Sequence, residues 1–94
     1  SLTDGAYREE QTLTGHSRYG VDALALDPTS HRLFSGSGDH TIKVWSLTDG
    51  AYREEQTLTG HSSSVYALAL DPTSHRLFSG SGDATIKVWQ LNVN

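Results

Sequence analysis

Serine, histidine and aspartate, the side chains of a hydrolytic relay, occur together twice in this chain, as His16, Ser35 and Asp39 and again as His61, Ser79 and Asp83. In such a relay the serine attacks an acyl carbon, the histidine takes its proton and the aspartate orients the imidazole. Two features of the sequence argue against that chemistry. A nucleophile elbow needs Gly-x-Ser-x-Gly, and Gly15-His16-Ser17-Arg18-Tyr19 misses the final glycine by one residue. The trio also recurs unchanged, which fits a repeated structural device better than an active site. Other chemistry is weaker still. Cysteine is absent, which excludes disulfides and thiolate metal sites. His31 and His75 fall in turns apart from His16 and His40 and read as solvated turn residues, so no metal cluster is expected. Gly36-Ser37-Gly38 lacks the lysine and the following helix of a phosphate loop. No catalytic residue, metal ligand or cofactor is therefore expected.

The elements that must position these residues are set by a repeat. A chain of 94 residues has room for one compact unit at most. Eleven acidic against seven basic side chains give a net charge of −4, the wrong sign for a nucleic-acid partner. No apolar run approaches the ~18–20 residues of a membrane span. The chain begins at Ser1 without a basic-then-apolar leader, from which a cytoplasmic location is expected. Residues 1–17 recur as 46–62, Ala23–Asp39 as Ala67–Asp83 and Thr41–Trp45 as Thr85–Trp89, so that 40 of 44 aligned positions are identical. The differing pairs are Arg18/Ser63, Tyr19/Ser64, Asp22/Tyr66 and His40/Ala84, and the first copy carries one extra residue, Gly20. Copies this alike were duplicated recently or built by design. They define one domain: repeat 1 over 1–45, repeat 2 over 46–89 and a tail over 90–94.

Turn residues cut each copy into pieces of strand length, which predicts an all-β fold. Asp27-Pro28-Thr29-Ser30 separates piece A (Val21–Leu26) from piece B (Arg32–Ser37), Gly38-Asp39 separates B from C (Thr41–Leu47), and Thr48-Asp49-Gly50 precedes D (Tyr52–Leu58). Pieces A and C offer apolar atoms to both sides, as expected of a sheet covered on both faces. Arg8-Glu9-Glu10 and Arg53-Glu54-Glu55 fall on the outermost strand, where charge is expected to discourage edge-to-edge aggregation.

Gly15-His16, a strand, Ser35-Gly36-Ser37-Gly38-Asp39 and then Thr41-Ile42-Lys43-Val44-Trp45, all within about 44 residues and present twice, resemble the WD-repeat β-propeller family. The aspartate that closes the family's signature is missing, because Ser46 follows Trp45 and Gln90 follows Trp89. The resemblance implies two four-stranded antiparallel blades. It also implies a structural tetrad at Asp39, His16, Ser35 and Trp45, repeated at Asp83, His61, Ser79 and Trp89. In that role the four polar groups satisfy one another away from water, each saving roughly 1–3 kcal/mol of unpaired burial.

The strand order D, A, B, C, D, A, B, C leaves a D piece (Tyr7–Leu13) unmatched at the start and an A-B-C set unmatched at the end. Two stacked blades also leave two open faces of roughly 400 Å² each by strand geometry, together more than the ~300–600 Å² patch usual on a soluble monomer. The chain is therefore expected to partner itself, identical copies closing a ring by donating Tyr7–Leu13 to one another. Four chains and eight blades are preferred, three chains and six blades next. All differences between the copies map to the rim formed by the D–A loop and the B–C turn: Arg18, Tyr19, Asp22 and His40 against Ser63, Ser64, Tyr66 and Ala84. That rim is either a recognition surface for another protein or peptide or a tolerant edge that drifted. The expected function is a non-enzymatic, self-assembling interaction scaffold, engineered or excised from an amplified-repeat propeller; a glycan-binding ring resembling oligomeric propeller lectins is the alternative.

Overall fold

The computed structural model describes residues 7–16 and 19–91, all of it β-strand, turn or irregular chain. Seven strands form in order: β1 (Val21–Asp27), β2 (Arg32–Ser37), β3 (Ile42–Thr48), β4 (Ala51–Leu58), β5 (Val65–Asp71), β6 (Arg76–Ser81) and β7 (Ile86–Gln90). They build two antiparallel meanders, a four-stranded sheet ordered β1-β2-β3-β4 and a three-stranded sheet ordered β5-β6-β7. The all-β expectation holds, with one correction. Among the described residues only the first sheet has four strands, and no described strand pairs with the outer edge of β7. Residues 7–13, the unmatched D piece, join no sheet. They lie against β4 instead, where the Gln11 amide donates to the Tyr52 carbonyl at 2.7 Å and accepts from the Tyr52 N–H at 3.0 Å.

Local chemistry explains the strand bounds: β2 coincides with piece B, while β1, β3 and β4 differ from pieces A, C and D by one residue at one or both ends. Asp27 ends β1 because its carboxylate accepts the N–H groups of Thr29 and Ser30 and the Ser30 hydroxyl, an Asx turn that Asp71 repeats with Thr73 and Ser74. Asp49 and Gly50 both have positive φ, 53° and 80°, the conformation of a two-residue type I′ hairpin. That turn lets Thr48 and Ala51 pair and lengthens β3 and β4 toward it. Thr41 is drawn out of β3 because its N–H and hydroxyl bind the Asp39 carboxylate.

The core sits between the sheets. Phe34, Ile42 and Val44 of the first face Val65 and Leu77 of the second, ringed by Ala25, Leu58, Leu68, Leu70, Trp89 and Leu91. Gly36 permits the approach, since a Cβ there would stand 2.7 Å from a methyl of Val65.

The second B–C turn carries a local conflict that glycine would relieve. Ala84 has φ 70°, a left-handed conformation that costs a side chain with a Cβ roughly 1–2 kcal/mol. Ala84→Gly should therefore raise the unfolding free energy by about 0.5–1 kcal/mol after the entropy of glycine is set against it. Urea denaturation at fixed chain concentration checks this; an unchanged or lower midpoint would show that the turn stores no strain.

Candidate functional site

Each repeat brings its four polar side chains into one chain of hydrogen bonds. In the first, the Trp45 indole N–H donates to Ser35 Oγ at 2.9 Å, Ser35 Oγ lies 2.7 Å from His16 Nε2, and His16 Nδ1 lies 3.2 Å from Asp39 Oδ2. In the second, Trp89, Ser79, His61 and Asp83 repeat it at 2.8, 2.7 and 3.0 Å. One proton arrangement satisfies every group: indole to serine, serine to Nε2, and Nδ1–H to the carboxylate. The strands explain the convergence, because Ser35 pairs with Lys43 two residues before Trp45, and Ser79 with Lys87 two residues before Trp89. The histidine arrives from the loop before β1 or β5.

The histidine–carboxylate and histidine–serine contacts are those of a hydrolase, yet the environment is not. Ser35 and Ser79 are 3% and 0% exposed, and each hydroxyl also accepts an indole N–H. A substrate carbonyl has no approach to either oxygen. Among the described residues no three metal-ligating side chains are placed to hold an ion.

The carboxylate end is held by more than the histidine. The Thr85 hydroxyl, the Ser62 N–H and the His61 ring bond Asp83 and hold its carboxyl far below its ordinary value of 3.8. Thr41 and Thr85 each reach both the carboxylate and the histidine of their repeat. Threonine at this position was not singled out in the sequence, although its recurrence two residues after each aspartate was visible.

The D–A loop and B–C turn meet on one rim: the Gly38 N–H donates to the Gly20 carbonyl and the Gly82 N–H to the Ser64 carbonyl. On the opposite rim, Leu47 and Leu91 donate to the carbonyls of His31 and His75. Of the differing residues, Tyr19, Asp22, His40, Tyr66 and Ala84 are exposed, and Ser63 and Ser64 are half-buried. Tyr66 and Ser63 lean over Gly82, and Tyr19 over Gly38. Arg18 lies outside the described residues. Two clefts on the described surface are lined by none of these residues. The first, of about 320 Å³, lies between the sheets over Phe34, Val44, Leu58, Trp89 and Leu91.

The acidic pair on β4 has a different role from the one expected of edge charge. Arg32 donates bidentately to Glu55 at 2.8 and 3.1 Å. The Lys43 ammonium, in a buried residue, donates to Glu54 at 3.0 Å and to Thr57 at 2.9 Å. Glu54 and Glu55 thus tie β4 to β3 and β2, and these cations lower both carboxyls from their ordinary 4.5.

Two stacked antiparallel meanders with a repeated Trp-Ser-His-Asp relay define a chain of propeller-type repeats. The family model described as WD domain, G-beta repeat (WD40) matches residues 7–46 and 52–90, and the chain belongs to that family. No curated protein matches it. Among solved structures, the crystal structure of the computationally designed Ika4 protein is similar at 34% identity and a TM-score of 0.70, over 86% of this chain. The chain spans 46% of the length of that protein.

The carboxylates predict a signed pH dependence. Asp83, Glu54, Glu55 and Asp71 all have folded values below their ordinary ones, so their stabilisation is complete above about pH 4.5 and is lost as pH falls through the folded values. Asp83→Asn should lower stability at neutral pH and flatten the loss between about pH 4 and pH 2. Denaturant midpoints across that range decide it; parallel acid slopes for variant and parent would contradict the assignment.

Proposed function

We propose that this chain is a non-enzymatic WD40 building block that closes with copies of itself into a ring and presents the ring's variable rim as an interaction surface. One observation carries the proposal: equivalent apolar residues of the two repeats have opposite fates. Ile42 and Val44 are 0% and 6% exposed, whereas Ile86 and Val88 are 74% and 58% exposed. Conversely, Val65 is fully buried and Leu68 and Leu70 are half-buried, while their counterparts Val21, Leu24 and Leu26 stand more than half exposed. The bared face of the second sheet matches the first-sheet face that is covered inside the chain, and the bared face of the first sheet matches the covered second-sheet face. Stacking one chain on the next satisfies both faces with the geometry already used internally. A head-to-tail contact of this kind closes into a ring when its rotation divides a full turn. The unmatched Tyr7–Leu13 of one chain would then supply the fourth strand beside β7 of its neighbour.

Four chains and eight blades remain the preferred closure, with three chains and six blades next. On the rim, the exposed Tyr19 and Tyr66 are the natural anchors for a protein or peptide partner, tyrosine being enriched in such contacts. The 40 identities between the copies, together with the likeness to a computationally designed protein, support an engineered or amplified-repeat origin. The glycan-binding alternative asks for equivalent sites between blades on the variable rim.

Light scattering after size-exclusion chromatography tests the assembly. The expected mass is about 41 kDa, four times the 10.2 kDa chain, held over a wide concentration range. About 31 kDa would keep the ring and correct its size to three. A folded species of 10.2 kDa at every concentration would overturn it.

A further inference from the structure

The second sheet carries two cations, Lys87 on β7 and Arg76 on the adjoining β6, whose counterparts in the first repeat are both engaged. Lys87 corresponds to Lys43 and Arg76 to Arg32, yet neither Lys87 nor Arg76 has an ion pair among the described residues. Their missing partners are identifiable from the repeat. Glu54, Glu55 and Thr57 correspond to Glu9, Glu10 and Thr12. In the first sheet the Thr57 hydroxyl donates to Glu54 while Lys43 binds both, and in the unpaired segment the Thr12 hydroxyl already donates to Glu9. Half of the first-repeat arrangement is thus assembled before any cation arrives.

The receiving side is shaped for it. A cleft of about 450 Å³ lies against Thr59, Gly60, Lys87, Val88 and Trp89. In the first repeat the equivalent space is taken, because a Cβ on Gly15 would stand 2.9 Å from the Glu54 carboxylate. At Gly60 the three nearest atoms belong to the Lys87 and Trp89 side chains, at 3.5 to 3.7 Å, and none is a carboxylate oxygen. Transferring the β3–β4 register places Leu13 opposite Ile86, Thr12 opposite Lys87, Gln11 opposite Val88 and Glu9 opposite Trp89, with Glu10 in the bulge that Glu55 occupies beside Arg32.

We propose that the seam between chains is read by a two-charge code, Lys87 recognising Glu9 and Arg76 recognising Glu10, so that the edge of β7 selects an extended acidic-pair strand from a second copy of this chain in one register. This rests on the ring reading and adds what makes the seam specific. Backbone pairing alone would accept any extended segment in either pleat; a one-residue slip puts both carboxylates out of reach of their cations and reverses every side chain. Like charges brought together at such a seam oppose binding strongly, so the code is testable by reversal.

Two variants of the full chain isolate it. The acceptor variant carries Arg76→Glu and Lys87→Glu; the donor variant carries Glu9→Lys and Glu10→Arg. Circular dichroism establishes that each keeps its β signal. Each alone should assemble at least about 100-fold more weakly than the parent, read from the concentration dependence of mass. Mixed in equal amounts they should assemble again at the parent's affinity, the two chains alternating and in equal number, because each mixed seam joins opposite charges. Assembly of either variant alone at the parent's affinity, or failure of the mixture to assemble, overturns the code while a ring formed by the parent still stands. A parent that never assembles overturns the ring reading itself.

Discussion

A β-strand whose outer edge is unpaired among the described residues governs this molecule. Backbone N–H and C=O groups must find partners, and a sheet that stops at β7 presents a row of them beside bared apolar side chains. In the first sheet the same row is closed by β4, and everything that depends on that closure follows. Lys43 is buried against Glu54 and Trp45 is sealed, while Ile42 and Val44 are covered by the second sheet on the face between the two. In the second sheet Lys87 and Trp89 are half-buried, although their sequence surroundings are nearly the same. The contrast between the repeats is therefore one of position in the chain. The first repeat has the second sheet on the face that carries Ile42 and Val44 and has its own fourth strand; among the described residues the second repeat has neither a neighbour on the equivalent face nor a fourth strand.

The polar relay stands apart from that contrast. Its bonds have nearly equal lengths in both repeats, and the three-stranded sheet holds them as well as the four-stranded one. The relay thus belongs to each repeat separately, joining the loop before the first strand to the middle of the sheet. Apolar burial and strand pairing join one repeat to the next. Two kinds of interaction divide the work: directional bonds fix the inside of a blade, and non-directional packing stacks blades. Serine, histidine and aspartate serve the first purpose because each can both be satisfied and satisfy another where water is excluded.

Much of this was legible in the residues. The repeat and the all-β pattern follow from identities and turn signals that need no long-range information, and the tetrad positions were implied by the resemblance to the WD-repeat family. The unmatched piece at 7–13 followed from counting strands. What escaped were features that depend on three-dimensional register. Glu54 and Glu55 read as generic edge charge until β3 and β4 aligned Lys43 with Thr57 and placed a bulge beside Arg32. Thr41 read as the first residue of a strand, whereas its bonds to Asp39 make it part of the turn. The resting place of 7–13 against β4, through Gln11 and Tyr52, was not expected either, because a side-chain amide imitating a backbone pair leaves no periodic trace.

The central claim is that β7 is completed by residues 7–13 of another molecule, and the absence of cysteine makes a direct test clean. One chain carrying only Val88→Cys is mixed with another carrying only Gln11→Cys, under mild oxidation, and the linked peptides are identified by mass spectrometry. The transferred register places these two positions opposite each other on different chains. The account predicts a mixed disulfide between residues 11 and 88 in high yield, and little when Tyr7→Cys replaces Gln11→Cys. Equal yields from both positions, or none from either, would contradict it.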